Sequence, residues 1–198
     1  MANYFFETIT PTQALSFNIA TDTLVFTTAG SKATDVSVAF VAASGSDPAV
    51  TTLTYNGRTV AFNNTIQGTA AVNVANIVFA DVNSQLVIGT AGPDTGAAAS
   101  STADAYFGNA GNDTFDGAGG ADVLQGNGGD DQLSGGSGND SIYGGQGNDS
   151  LTAGGGSDWV NGNLGNDTIV GSDTSATTTG ADTLIGGQGN DQIDGSGG

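Results

Sequence analysis

Aspartate recurs every nine residues through most of the second half of this chain of 198 residues. Glycine stands two residues before each aspartate after the first, and a large apolar residue stands two residues after each one. The series consists of Asp104, Asp113, Asp122, Asp131, Asp140, Asp149, Asp158, Asp167, Asp182 and Asp191. A short fixed period of this kind predicts a solenoid, in which every repeat adds one similar layer to its neighbours.

Each unit reads Gly-Gly-x-Gly-x-Asp-x-U-x, where U is a large apolar residue. The x-U-x half alternates like a strand, so we expect U to face a core. In the other half, glycines allow positive φ angles and leave carbonyl oxygens uncovered. The apolar residues are Tyr106, Phe115, Leu124, Leu133, Ile142, Leu151, Val160, Ile169, Leu184 and Ile193.

Composition changes near residue 88 and predicts two domains, 1–88 and 89–198. The first segment has five acids, two basic residues and four of the 34 glycines. The second has fifteen aspartates, thirty glycines and no basic residue. A surface this acidic repels nucleic acid and anionic lipid but attracts hard cations, so we expect no nucleic-acid partner.

Histidine and cysteine are both absent, so oxygen atoms are the only metal ligands that the chain offers. The usual nucleophile and base pairs cannot form, and the acids of residues 1–88 make no recognisable pair of catalytic carboxylates. We therefore expect no enzyme activity. No apolar run is long enough for a membrane span, and the N-terminus does not read as a classical signal peptide.

Residues 1–88 predict a small antiparallel β-sandwich-like domain, because their apolar and β-branched runs are short. Strands are expected within 23–28, 36–43, 53–55 and 59–62, with one or two more within 76–88. Asn56-Gly57 favours a type I′ turn and predicts a hairpin over 53–62.

The repeats resemble the RTX family of hemolysin-type calcium-binding nonapeptides, most closely in GGSGNDSIY at 135–143 and GGQGNDSLT at 144–152. The resemblance implies a parallel β-roll with two repeats per turn and Ca²⁺ between successive turns. Ions are then expected between aspartates eighteen residues apart, from Asp113 with Asp131 to Asp149 with Asp167. The implied ligands are the aspartates from Asp113 to Asp191 in the series above, with the glycines Gly111, Gly120, Gly129, Gly138, Gly147, Gly156 and Gly165.

Calcium suits these turns better than magnesium, because flexible carbonyl-rich loops can supply the six to eight oxygens that calcium takes. We expect several ions, roughly five to eight, one between each pair of stacked turns. One apolar side chain per repeat recovers little of the entropy lost on ordering the array. The metal-free array is therefore expected to be largely unfolded.

Three departures from the repeat are apparent. Residues 99–104 have no glycine in their turn, so Asp94 and Asp104 are doubtful ligands. Ala153 replaces the first glycine of its repeat. An insertion at about 171–180 predicts a loop that breaks the stacking between Asp167 and Asp182. Aromatic residues beside U positions, Phe107, Tyr143 and Trp159, are expected to face outward.

The sequence favours a secreted, non-enzymatic calcium-binding protein of a bacterial surface layer, matrix or adhesin, with the N-terminal domain as its contact surface. Open ends of a roll expose strand edges, which favours self-association. The alternative is a fragment of a type I-secreted enzyme or toxin in which the roll assists secretion and folding. A third possibility is that residues 1–88 bind carbohydrate.

Overall fold

The computed structural model describes residues 3–9, 13, 23–25, 33–41, 50–63, 77–78, 85–97, 101–171 and 180–195. The described part is almost entirely β-structure, with one short 3₁₀ turn at Ala33–Asp35. None of its helices is long and apolar enough to cross a membrane.

The second half forms a parallel β-roll, as the nine-residue period predicts. Successive strands alternate between two six-stranded parallel sheets, so two repeats complete one turn. One sheet has the order β17-β15-β13-β11-β9-β7 and the other β18-β16-β14-β12-β10-β8. The strands are β7 Leu86–Ile88, β8 Thr95–Ala97, β9 Ala105–Phe107, β10 Thr114–Asp116, β11 Val123–Gly128, β12 Gln132–Ser137, β13 Ser141–Gln146, β14 Ser150–Gly155, β15 Trp159–Leu164, β16 Thr168–Val170, β17 Thr183–Gln188 and β18 Gln192–Asp194.

The U side chains stack into the core of the roll. In one sheet Phe115 pairs with Leu133, and in the other Leu124 pairs with Ile142, each partner lying eighteen residues further along. The U residues from Tyr106 to Ile169 are all buried. Ile193 is 49% exposed because β18 is the last strand of its sheet and no layer covers it there.

The insertion does not break the stacking, so that prediction is wrong. Trp159 of β15 pairs with Thr183 of β17, and Thr168 of β16 pairs with Gln192 of β18. Asp182 therefore stacks on Asp158, with a sequence separation of 24 instead of 18. The six extra residues lie between β16 and β17 in the sequence, where residues 172–179 are outside the described part of the chain.

The hairpin predicted around Asn56-Gly57 is confirmed. Strands β4 (Val50–Tyr55) and β5 (Arg58–Asn63) pair antiparallel, and both turn residues have positive φ angles of 50° and 73°. The third strand of this sheet is β3, Ser37–Val41, which pairs antiparallel with β4.

A second N-terminal sheet differs from the expected antiparallel arrangement. Strands β1 (Asn3–Phe5), β2 (Thr23–Val25) and β6 (Ile77–Val78) pair in parallel. The connections between these strands are long enough for the crossover that parallel pairing requires. Each segment that the sequence predicts to form a strand thus contains one. Packing of the two sheets as a sandwich stays a prediction.

The N-terminal segment packs against the outer face of the first turn of the roll. Because successive strand residues point to opposite faces, Val87 enters the core of the roll while Leu86 and Ile88 face outward. A separate apolar cluster holds these outward side chains with Phe6, Leu24, Val36, Leu53, Tyr55, Ala105 and Phe107. Phe107 faces out of the roll as expected, but it is only 4% exposed because this cluster covers it.

Candidate metal centre

The turn aspartates form two ladders, one along each edge of the roll. The backbone N–H of Asp122 donates to Oδ1 of Asp140, and that of Asp131 donates to Oδ1 of Asp149, at 2.8 and 2.9 Å. The same contact continues to the end of both edges, where Asp158 donates to Asp182 and Asp167 donates to Asp191. The structure therefore brings together every aspartate pair that the resemblance implies.

The second carboxylate oxygen of these aspartates has no partner. Among the residues that the structure describes, seven turn aspartates bury Oδ2 without any hydrogen bond. They are Asp113, Asp122, Asp131, Asp140, Asp149, Asp158 and Asp167, each 1–3% exposed. A buried carboxylate oxygen without a donor is strongly unfavourable unless a proton or a cation accompanies it.

A carbonyl oxygen of the next turn approaches each unpartnered Oδ2. At Gly117, an added methyl group would lie 2.6 Å from Asp122 Oδ2 and 2.7 Å from the carbonyl oxygen of Gly135. The same arrangement recurs at Gly108, Gly126, Gly135, Gly144 and Gly162. Two electron-rich oxygens therefore converge on the bare face of each first-position glycine.

These first-position carbonyls are candidate ligands that the sequence reasoning missed. The carbonyl oxygens that share these glycine faces with the free Oδ2 atoms belong to Gly126, Gly135, Gly144, Ala153, Gly162 and Gly186. The sequence signal is the first glycine of each repeat, which the sequence analysis associates with uncovered carbonyl oxygens without assigning ligands to these positions.

The predicted fourth-position glycines stack directly on one another. Gly138 has a φ of +135°, and a side chain there would overlap the carbonyl oxygen of Gly120 in the turn before it. The other glycines of the set are crowded in the same way. A side chain on Gly129 would overlap the carbonyl oxygen of Gly111, and one on Gly165 would overlap that of Gly147. Their carbonyls thus face the adjacent turn, and their role as ligands stays a prediction.

Burial raises the pKa of the ladder carboxyls. The pKa of Asp122 rises to about 7, chiefly because of burial, and the nearby carboxylate of Asp140 contributes to the rise. The hydrogen bond from the Asp104 N–H lowers this pKa but does not cancel the rise. The pKa of Asp131 also rises to about 7, and those of Asp113, Asp140 and Asp149 rise to about 6, again chiefly through burial. Asp158 and Asp167 shift in the same direction. Each of these carboxylates lacks a compensating positive charge.

Two aspartates of the first turn are different. Asp94 Oδ2 accepts hydrogen bonds from the Thr90 N–H at 2.6 Å and from the Thr90 hydroxyl at 3.2 Å. Asp104 Oδ1 accepts from the Gln85 N–H at 2.6 Å. Asp94 thus has protein donors on the oxygen that is free in later turns. The bond to Asp104 Oδ1 is the ladder contact of the other aspartates, and Asp104 Oδ2 is not among the buried oxygens without a donor.

Asp116 and Asp130 lie outside the ladders, although their charges help to raise the pKa of Asp122, and of Asp131 and Asp149, respectively. Asp116 is exposed and accepts a hydrogen bond from the Ala118 N–H, while exposed Asp130 accepts one from the Asn148 N–H. Arg58 donates to the carbonyl oxygens of Phe6 and Ile9 and lies over the Phe6 ring, so it fixes the N-terminal segment. Lys32 and Asp173 lie outside the described residues.

The donor set suits a hard divalent cation. Within the described ranges, no three carboxylates converge on one point. An ion there would therefore take carboxylates from two stacked turns together with backbone carbonyls. Calcium accepts this mixture of oxygens in flexible geometry, whereas magnesium requires a tighter octahedron.

Comparison with known proteins agrees with this arrangement. The model of the RTX calcium-binding nonapeptide repeat matches the chain in four copies, at residues 100–133, 107–142, 134–169 and 170–198. No curated protein and no solved structure matches the chain.

Proposed function

Because the chain belongs to the RTX calcium-binding nonapeptide repeat family, we propose that its roll folds only when Ca²⁺ enters the two edges. The main support for this proposal is that seven buried Oδ2 atoms, from Asp113 to Asp167 along both edges, have no donor among the described residues. Above pH 7 these carboxyls are ionised in the unfolded chain, and burying them uncompensated opposes folding. Calcium removes this opposition because it binds the folded turns and not the unfolded ones.

We further propose a secreted protein with a structural role at a cell surface or in a matrix, without enzyme activity. RTX repeats are typical of secreted bacterial proteins. Extracellular calcium modules bind in the range of about 10⁻⁴ to 10⁻³ M. A roll of this affinity stays unfolded at cytosolic calcium levels and folds outside the cell. The absence of histidine and cysteine supports the non-enzymatic role.

Self-association is the remaining element of the proposal. Strands β17 and β18 each end their sheets, β18 is exposed along its length, and Ile193 presents a large apolar side chain there. Open parallel edges with exposed apolar residues favour pairing with another chain. A second copy that stacks end to end would cover them.

The test is a calcium titration followed by circular dichroism, with magnesium as the control ion. We expect β-structure to appear cooperatively with calcium at millimolar concentrations and not with magnesium. The Asp140→Asn variant should need about tenfold more calcium, because the amide keeps the acceptor for Asp122 but loses the charge.

The matched control is Asp116→Asn, which removes one charge from an exposed aspartate outside the ladders. Its calcium midpoint should remain that of the wild type. A full β-roll spectrum in excess chelator at pH 7.5, or equal shifts for the two variants, would refute calcium-driven folding.

A further inference from the structure

We infer that the first turn of the roll, residues 85–107 with strands β7, β8 and β9, folds without calcium and is the template on which the calcium-bound turns are added. This inference deepens the proposed function, because it separates the turn aspartates into a metal-independent class and a metal-dependent class. Three features of the described residues carry it: the partners of the carboxylates, the apolar cover, and the packing into the next turn.

The first feature is that the protein itself supplies donors to the buried aspartates of this turn. Asp94 and Asp104 are 3% and 0% exposed. Thr90 donates both its N–H and its hydroxyl to Asp94 Oδ2. The Gln85 N–H donates to Asp104 Oδ1, which is the ladder contact that later aspartates also make, and Asp104 Oδ2 is not among the buried oxygens without a donor. From Asp113 to Asp167, Oδ2 meets no donor among the described residues. The first turn therefore does not need a cation to compensate its carboxylates.

The second feature is apolar cover on both faces of the sheet. Outside the roll, Leu86, Ile88 and Phe107 pack with side chains of the N-terminal segment. Inside it, Val87 belongs to the core of the roll. Among later strands of this sheet, β11 adds only the half-buried Val123 to the outer cluster, and Trp159 is 42% exposed on the outer face of β15. Burial on two faces adds apolar area that stabilises β7 and β9.

The third feature is an aromatic junction with the second turn. The rings of Tyr106 and Phe115 stack with centroids 4.5 Å apart and an angle of 5° between planes. Gly96, which stands in a U position, leaves room for the Phe115 ring. The Tyr106 hydroxyl and Asp113 Oδ2 both lie beside the bare face of Gly108, although the two groups do not meet regular hydrogen-bond geometry. Asp113 thus marks the boundary between the two classes.

Hydrogen exchange of the full chain, with and without calcium, tests the inference. In excess chelator at pH 7.5, we expect amides of 85–107 to exchange roughly tenfold or more slowly than those of 122–171. With saturating calcium both segments should be protected. Uniformly fast exchange across 85–171 in chelator would overturn the inference, as would preferential protection of a later turn.

Two variants separate the classes by a second measurement. Thr90→Val removes the hydroxyl donor, so it should speed exchange in 85–107 in chelator, while Thr114→Val, at an exposed position, should not. Asp104→Asn should leave the number of bound calcium ions at the wild-type value, and Asp140→Asn should lower it. Loss of an ion in Asp104→Asn would contradict the assignment. If the wild type bound no calcium, the proposed function itself would fail, which distinguishes the two failures.

Discussion

The ladder aspartates combine two roles in one carboxylate. Oδ1 accepts the N–H of the turn before it and fixes the stacking, while Oδ2 remains buried and without a donor. Asparagine could fill the first role, and does so in the neighbouring outer ladder, where Asn148 accepts the N–H of Asn166. The aspartate at each ladder position is thus needed for the charge that it brings to the free oxygen.

This chemistry predicts a pH dependence that differs with and without metal. The folded-state pKa values of Asp122 and Asp131, about 7, lie above the ordinary value of 3.8. The folded metal-free roll therefore binds more protons than the unfolded chain between about pH 4 and pH 7, so its stability falls as pH rises through this window. In chelator, circular dichroism should show more β-structure at pH 4.5 than at pH 7.5.

Protons also compete with calcium for the same oxygens. The metal-free roll is expected to be unfolded near neutral pH, where its carboxyls keep their ordinary pKa of about 3.8. The calcium midpoint should therefore change little between pH 8 and pH 6 and rise steeply as pH falls toward 4. Titrations at several pH values and one ionic strength measure this shift. A midpoint that did not rise even near pH 4 would show that the buried Oδ2 atoms are not ligands.

At the scale of the turn, close stacking depends on fourth-position glycines. Gly138→Ala would strain a φ of +135° and place a methyl group against the Gly120 carbonyl oxygen, so we expect a loss of several kcal/mol in saturating calcium. Gly57→Ala is the control, because its φ is +73° and a methyl group there meets no atom within 4 Å. It should cost about 1–2 kcal/mol. Thermal unfolding measures both, and equal losses would argue against tight stacking.

Sequence reasoning predicted the elements whose cause is local or periodic. The nine-residue period predicts a solenoid, the resemblance to RTX repeats implies the pairing of Asp122 with Asp140, and Asn56-Gly57 predicts the hairpin. It could not predict the parallel pairing of β1 with β2, which depends on contacts distant in sequence. It also missed the unbroken ladder past the insertion and the first-position carbonyls, because both follow from stacking geometry in three dimensions.

At the scale of the whole molecule, charge and shape act together. The segment from 89 to 198 carries fifteen aspartates and no basic residue, so its repulsion keeps copies apart when metal is absent. Under the proposed function, calcium both completes the roll and lowers this repulsion. Folding and association are therefore expected to respond to the same ion.

End-to-end association can be tested at the exposed end of the roll. Ile193 lies in line with the buried Ile169 and Leu151 but is 49% exposed, so a second copy could continue this row. Ile193→Asp should reduce calcium-induced particles in light scattering while calcium-induced β-structure remains. Gln192→Asp adds the same charge at an exposed neighbouring position and should leave association unchanged. Wild-type protein that remains monomeric at millimolar calcium and high protein concentration would contradict self-association but not calcium-dependent folding.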